Sequence, residues 1–244
     1  MLAMPTAFVA GMVNIASLLI FFAFSSNVTG HYAILAAELV KGNWYQVAVV
    51  FGWIFLFFFG SFTSNFIVIN FNKKQPYFAH ALPLLLEMGC LLAVGIYGSN
   101  FYGESLSETE VLVALLLFAM GLQNGLTASI SNFAVKTTHM TGATTDIGIL
   151  ASLFTRKEYR KNKELRAKAQ LIITVMSFYI LGGISAGFAW FYIGFALFYV
   201  IAGILLYVVA YDFNKIRLQA LLGQLKKREA VTTLKLKQSR HRAA

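Results

Sequence analysis

Polar side chains are so sparse along this chain that six apolar runs stand out: Ala3 to Phe24, Trp44 to Ile69, Tyr77 to Ser99, Val111 to Val135, Leu171 to Ala189 and Phe191 to Tyr211. Each has the roughly 20 residues that a helix needs to cross a hydrocarbon core of about 30 Å. Glu87 is the only formal charge inside them. The pattern predicts an all-α, polytopic membrane protein with six transmembrane helices. The last two runs are nearly continuous, divided only around Gly187 to Trp190. At 1.5 Å per residue, one helix of that length would be about twice as long as a bilayer is thick, so two crossings are predicted. Tyr32 to Val40 is apolar but too short to span, and reads as a half-helix or a surface helix.

Composition sharpens the class. The 244 residues are 58% apolar and 12% charged, and the mean hydropathy is +0.68. What remains outside the runs is split into short pieces, which excludes a water-soluble catalytic domain. Residues 1–212 read as a single transmembrane domain and 213–244 as a basic tail. The net charge of +10 would suggest a nucleic-acid partner in a soluble protein, but here the charges are segregated and no nucleic acid is expected. Lys73 and Lys74 follow span two, while Lys136, Arg156, Lys157, Arg160, Lys161, Lys163, Arg166 and Lys168 lie between spans four and five. The tail adds Lys215, Arg217, Lys226, Lys227, Arg228, Lys235, Lys237, Arg240 and Arg242. The loop between spans three and four holds Glu104, Glu108 and Glu110 and no base. Cytoplasmic loops retain positive charge. Six spans with both termini cytoplasmic therefore put every basic loop except the one holding Lys41 on the inside. In the tail, Leu218, Leu221, Leu222 and Leu225 keep helical spacing among Lys and Arg, the pattern of an amphipathic helix on an anionic lipid surface.

The two halves resemble each other. Gly11-Met12-Val13-Asn14 in span one matches Gly121-Leu122-Gln123-Asn124 in span four. Thr29-Gly30 matches Thr141-Gly142, and each pair is followed by a short apolar piece with the same tripeptide, Ile34-Leu35-Ala36 and Ile149-Leu150-Ala151. Gly60, Thr63 and Phe66 match Gly182, Ser185 and Phe188 at identical spacing. Spans three and six show no comparable match. Three spans per half is an odd number, so the second copy must enter the membrane from the opposite face. The expectation is a 3+3 inverted repeat, about 3–99 and 111–211, with short half-helices after spans one and four.

The residues Asn27-Val28-Thr29-Gly30, Gly121-Leu122-Gln123-Asn124-Gly125 and Thr137-Thr138-His139-Met140-Thr141-Gly142 resemble the YoaK family of bacterial membrane proteins, a domain of unknown function. The resemblance covers most of residues 7–212. It implies a multi-pass protein of the bacterial inner membrane and supplies no activity. The chain departs from the family pattern at Asn14, where an aspartate is common, and at His31, where an asparagine is common.

Polar groups in hydrocarbon persist where they face a bundle interior or a wet cavity. Glu87, midway along span three, is a candidate proton carrier. Asn14, Gln123 and Asn124 can each donate and accept, which suits substrate coordination or helix gluing. Asn27, Thr29, Gly30 and His31, with Thr137, Thr138, His139, Thr141 and Gly142, form two helix breaks whose freed backbone groups could hold a solute or be capped locally. His31 and His139 titrate near neutrality when unperturbed. Asp146 has no paired carboxylate, so no metal site is expected. Cys90 alone excludes a disulfide framework, and no catalytic, cofactor or phosphate-loop motif occurs. Small residues Gly182, Gly183, Ala186 and Gly187 allow close helix packing.

These features favour a small-solute secondary transporter or permease, not an enzyme. Inverted repeats with interrupted helices alternate access around a midplane site. The other reading is an accessory or sensor protein whose basic tail recruits a partner or lipid. Six spans are few for alternating access, so a homodimer is expected.

Overall fold

In the computed structural model the described residues are 3–131, 136–211, 213 and 214. The tail helix expected around Leu218 to Leu225 lies outside them. The order is α1 (Ala3–Phe21), α2 (Val28–Lys41), α3 (Trp44–Phe71), α4 (Pro76–Asn100), α5 (Leu106–Ile130), α6 (Met140–Leu153), α7 (Lys157–Arg160) and α8 (Lys163–Ile193). A 3-10 turn, Gly194–Ala196, then leads into α9, residues 197–211. Among the described residues there is no strand. The chain is an all-helical, multi-pass membrane protein: five of its helical stretches are long and apolar enough to cross a bilayer, the last being Lys163–Tyr211 taken as a whole.

Local chemistry sets most helix ends. Asn27 caps α2 by accepting from the Gly30 amide at 3.1 Å. Gly42, at φ 71°, closes it, a left-handed C-cap that favours glycine. Ser105 and Glu108 form a reciprocal capping box at the start of α5. Asn162 caps α8 by accepting from the Glu164 and Leu165 amides.

Two boundaries differ from the hydropathy pattern. The first apolar run extends to Phe24, yet α1 stops at Phe21 because Phe22 takes φ 53°. The turn expected around Gly187 to Trp190 lies further on. Helix α8 continues to Ile193, and Gly194 at φ 52° breaks it. The glycines before it sit inside α8, where Gly182 and Gly183 face α1, so they pack and do not turn. Beyond the break α9 runs back along α4. Phe195 lies at Gly98, Tyr199 at Gly95, and the Tyr77 hydroxyl donates to the Val209 carbonyl at 3.4 Å.

Two parallel helix pairs dominate the packing. Along α1 and α8, Gly182 meets the Phe8 backbone and Gly11 meets the Tyr179 carbonyl. Along α3 and α5, Gly60 meets the Phe118 carbonyl and Gly121 meets that of Phe57. A Cβ at any of the four would collide with backbone. Such glycine crossings are how helices pack closely where lipid offers no hydrophobic drive. The main core fills the space between α1, α4, α5 and α9, with Val13, Leu91, Leu116, Leu117, Phe198 and Leu205 fully buried. On α3, Phe51, Phe55, Phe58, Phe59, Phe62 and Phe66 are exposed, an apolar face suited to lipid.

Candidate functional site

Both interrupted segments fold back against the helix that precedes them. After Phe21 the chain returns to Asn14, whose Oδ1 accepts from Ser26 Oγ at 2.9 Å and from Ser25 Oγ at 3.4 Å. Asn14 lies seven residues before the end of α1, hence roughly 10 Å inside it. Helix α2 starts at that depth. Its first turn is anchored by His31, whose Nε2 pairs with the Phe24 carbonyl at 2.9 Å and whose ring meets the edge of Trp53.

The second break repeats this arrangement. Asn124 Nδ2 donates to Thr138 Oγ1 at 2.6 Å, and its Oδ1 accepts from the Thr138 amide at 3.3 Å. Gln123, fully buried, donates from Nε2 to Thr137 Oγ1 at 2.7 Å and to the Thr6 carbonyl at 2.9 Å. Helix α6 then starts at His139, which occupies the N-cap position without giving a side-chain cap bond. A Cβ on Gly30 would strike the Asn27 side chain, and one on Gly142 would strike the His139 ring. Each glycine thus leaves room for the side chain that begins its half-helix.

Between the breaks lies a cavity of about 760 Å³, within the range of small-molecule sites. Of the sequence-derived candidates, Asn14, Asn27, Thr29, Asn124, Thr138, His139 and Thr141 line it. Gly30, His31, Gln123, Thr137 and Gly142 stand behind that lining, shaping or bracing the breaks. Glu87 is elsewhere: it is fully buried in α4, outside the lining, and neither carboxyl oxygen has a hydrogen-bond partner among the described residues. Asp146 pairs with Lys168 at 3.0 Å.

Several lining residues had escaped the sequence reading. Ser26 and Tyr179 complete the Asn14 cluster, where Asn14 Nδ2 donates to the Tyr179 hydroxyl at 2.8 Å. Ser61, Asn65 and Ser129 form a polar strip between α3 and α5, with Ser129 Oγ donating to Asn65 Oδ1 at 2.8 Å. Phe57, Phe58 and Phe62 supply apolar wall. Lys136, counted above only as an orientation charge, lines the cavity as well. The signal for Ser26 was available, since it precedes Asn27 as Thr138 precedes His139; nothing local marks Tyr179 or Lys136.

No curated protein and no solved structure matches the chain. A family model described as a protein of unknown function, DUF1275, matches residues 2–211, which spans both breaks and every lining residue. The chain therefore belongs to the DUF1275 family, the YoaK-like membrane proteins that its Thr-Gly and Gly-x-x-Asn motifs resemble.

Proposed function

We propose that the chain is a small-solute secondary transporter or permease, built as two inverted three-span repeats, with its site at their interface. The observation that carries this reading is that one cavity is lined by corresponding residues of both halves. Asn14 and Ser26 on one side correspond to Asn124 and Thr138 on the other, and both pairs are hydrogen-bonded.

The packing supports the repeat independently of the motif match. The shift of numbering that carries Gly11 onto Gly121 carries Phe8 onto Phe118, and the one that carries Gly60 onto Gly182 carries Phe57 onto Tyr179. Under those shifts the α1–α8 glycine crossings turn into the α3–α5 crossings, contact for contact. Helices α2 and α6 also have the same length, 14 residues. Six crossings, with α8 and α9 counted separately, fit the reversal at Gly194 and the antiparallel course of α9 along α4. With the termini of that bundle cytoplasmic in a bacterial inner membrane, Lys73, Lys74 and Arg156 to Lys168 face inward and Lys41 outward, as positive loops require.

Half-helices that begin beside the helix before them, at mid-depth, are the feature that lets transporters present backbone groups to a solute. Rocking of the α1–α8 pair against the α3–α5 pair would open the cavity to one side and then the other. Glu87, buried without a hydrogen-bond partner among the described residues, on a helix that packs against α5, is the group to which proton coupling is assigned. No catalytic role is proposed for any residue.

The test is a solute screen on the purified full-length protein in detergent at two pH values, read as melting temperature, because a ligand of the folded state raises it by mass action. A saturable shift from one chemical class, lost in Asn124→Ala, is expected. A folded protein that responds to no solute in a broad panel overturns the reading.

A further inference from the structure

The transport reading leaves the solute open, but the cavity wall has a sign. We propose that it takes a small organic anion, a carboxylate or similar oxyanion carrying an apolar body. The proposal rests on the cavity being the solute site. Lys136 is the single charged side chain among the described lining residues, and none of them is Asp or Glu. The neighbouring residues 132–135 are Asn, Phe, Ala and Val, so the sequence puts no acid beside that lysine either.

Two further features carry the same sign. Val28 and Thr29 at the start of α2, and Met140 and Thr141 at the start of α6, all line the cavity. Both half-helices therefore turn their positive dipole ends toward it. The α6 end lacks the side-chain cap that Asn27 gives α2. Asn14 and Asn124 each use one amide hydrogen of Nδ2 internally and carry a second that an anion can accept. A cation would meet a lysine and two helix N-termini with no carboxylate to offset them.

The wall also says what the anion carries. The rings of Phe57, Phe58, Phe62 and Tyr179 face the same space as Lys136. A volume of about 760 Å³ exceeds what an inorganic ion fills and admits a single-ring or short-chain acid. Phe58 and Phe62 are at the same time more than half exposed on the outer face of α3. The cavity is thus bordered by lipid, and the headgroup of an anionic phospholipid shares the proposed chemistry.

The experiment uses the full chain in zwitterionic nanodiscs at fixed ionic strength. Melting temperature is followed against sodium acetate, benzoate, succinate and phosphate, against acetamide and benzamide as neutral counterparts, and against benzylamine. Expected is a saturable shift with benzoate or another of the organic anions, none with its amide or with benzylamine, an apparent affinity at least about tenfold weaker in Lys136→Gln, and recovery in Lys136→Arg. A shift that benzamide or benzylamine matches, or that survives Lys136→Gln unchanged, overturns the anion assignment and leaves the transport reading standing. Phosphate as the best ligand overturns the apolar body. A shift with phosphatidylglycerol in the discs and with no soluble anion replaces the solute by a lipid headgroup. Silence across charged and neutral solutes alike removes the transport reading together with this one.

Discussion

The four crossing glycines give the most direct check on the architecture. In Gly60→Ala the new methyl group collides with the Phe118 carbonyl, and in Gly182→Ala with that of Phe8. Backbone cannot swing aside as a flexible side chain can, so the two helices must part by about 1 Å to restore ordinary contact. A gap of that size forfeits a quarter to a half of each dispersion contact; over some ~30 atom pairs of about 0.15 kcal/mol, roughly 1–2 kcal/mol is lost. Alanine's better helix propensity returns about 0.5–1 kcal/mol. Gly11→Ala and Gly121→Ala meet backbone in the same way. By contrast Gly52, Gly89 and Gly203 have nothing among the described residues within 4 Å of an added Cβ, so their alanine variants keep only the propensity gain. The series therefore splits by sign: the four contact glycines lower stability, by up to about 1.5 kcal/mol net, and the three open ones leave it unchanged or raise it. Helical circular dichroism during titration of mild-detergent micelles with sodium dodecyl sulfate reads that order. The reasoning fails if Gly52→Ala and Gly60→Ala shift the midpoint alike. It fails too if Gly60→Ala is costly while Gly182→Ala is free, since the two crossings are equivalent.

Other expectations follow from single contacts. Asn124→Ala removes both bonds to Thr138 and is expected to cost about 1–2 kcal/mol; Asn14→Ala, which loses Ser25, Ser26 and Tyr179, should be at least as damaging in the same titration. Orientation is checked by single cysteines at Lys41, Lys73 and Lys161 in a Cys90→Ser background: an impermeant maleimide added to intact cells should label only the first. Lys41 and Asn43 hold the Glu38 carboxyl below its ordinary value, so the carboxylate contributes fully above the unfolded pKa of about 4.3 and its contribution fades as pH falls below it. The protection of the Gly42 and Asn43 amides relative to intrinsic exchange, given by their bonds to the end of α2, should fall in that window, and Glu38→Gln should abolish that fall.

How far the sequence reaches is clearest where two glycines look alike. Gly187 and Gly194 are both single glycines in an unbroken apolar stretch, and the boundary between the last two helices was expected near the first. What separates them is not local: Gly182 and Gly183 lie under α1, and only Gly194 adopts a positive φ. The same limit governs the cavity. Residues on the two breaks were legible because Thr-Gly and Gly-x-x-Asn recur, and recurrence is visible in one dimension. Tyr179 and Phe57 reach the cavity through helix crossings that join residues far apart in the chain, so no spacing rule finds them.

Lys136 shows what such blindness costs. By sequence it belongs with the loop lysines that fix orientation, since it follows span four and precedes a strongly basic connection. In space the chain returns to Asn124 and Gln123 at Thr137 and Thr138, before α6 begins, which places the exposed Lys136 along the cavity wall. A lysine in a cytoplasmic loop counts toward topology and can be exchanged for another at little cost. One lining an open, partly apolar cavity is a charge whose sign the occupant must answer. The two roles separate experimentally: Lys136→Gln should leave the membrane orientation intact, because Arg156 to Lys168 still carry the inward bias, while changing what the cavity holds.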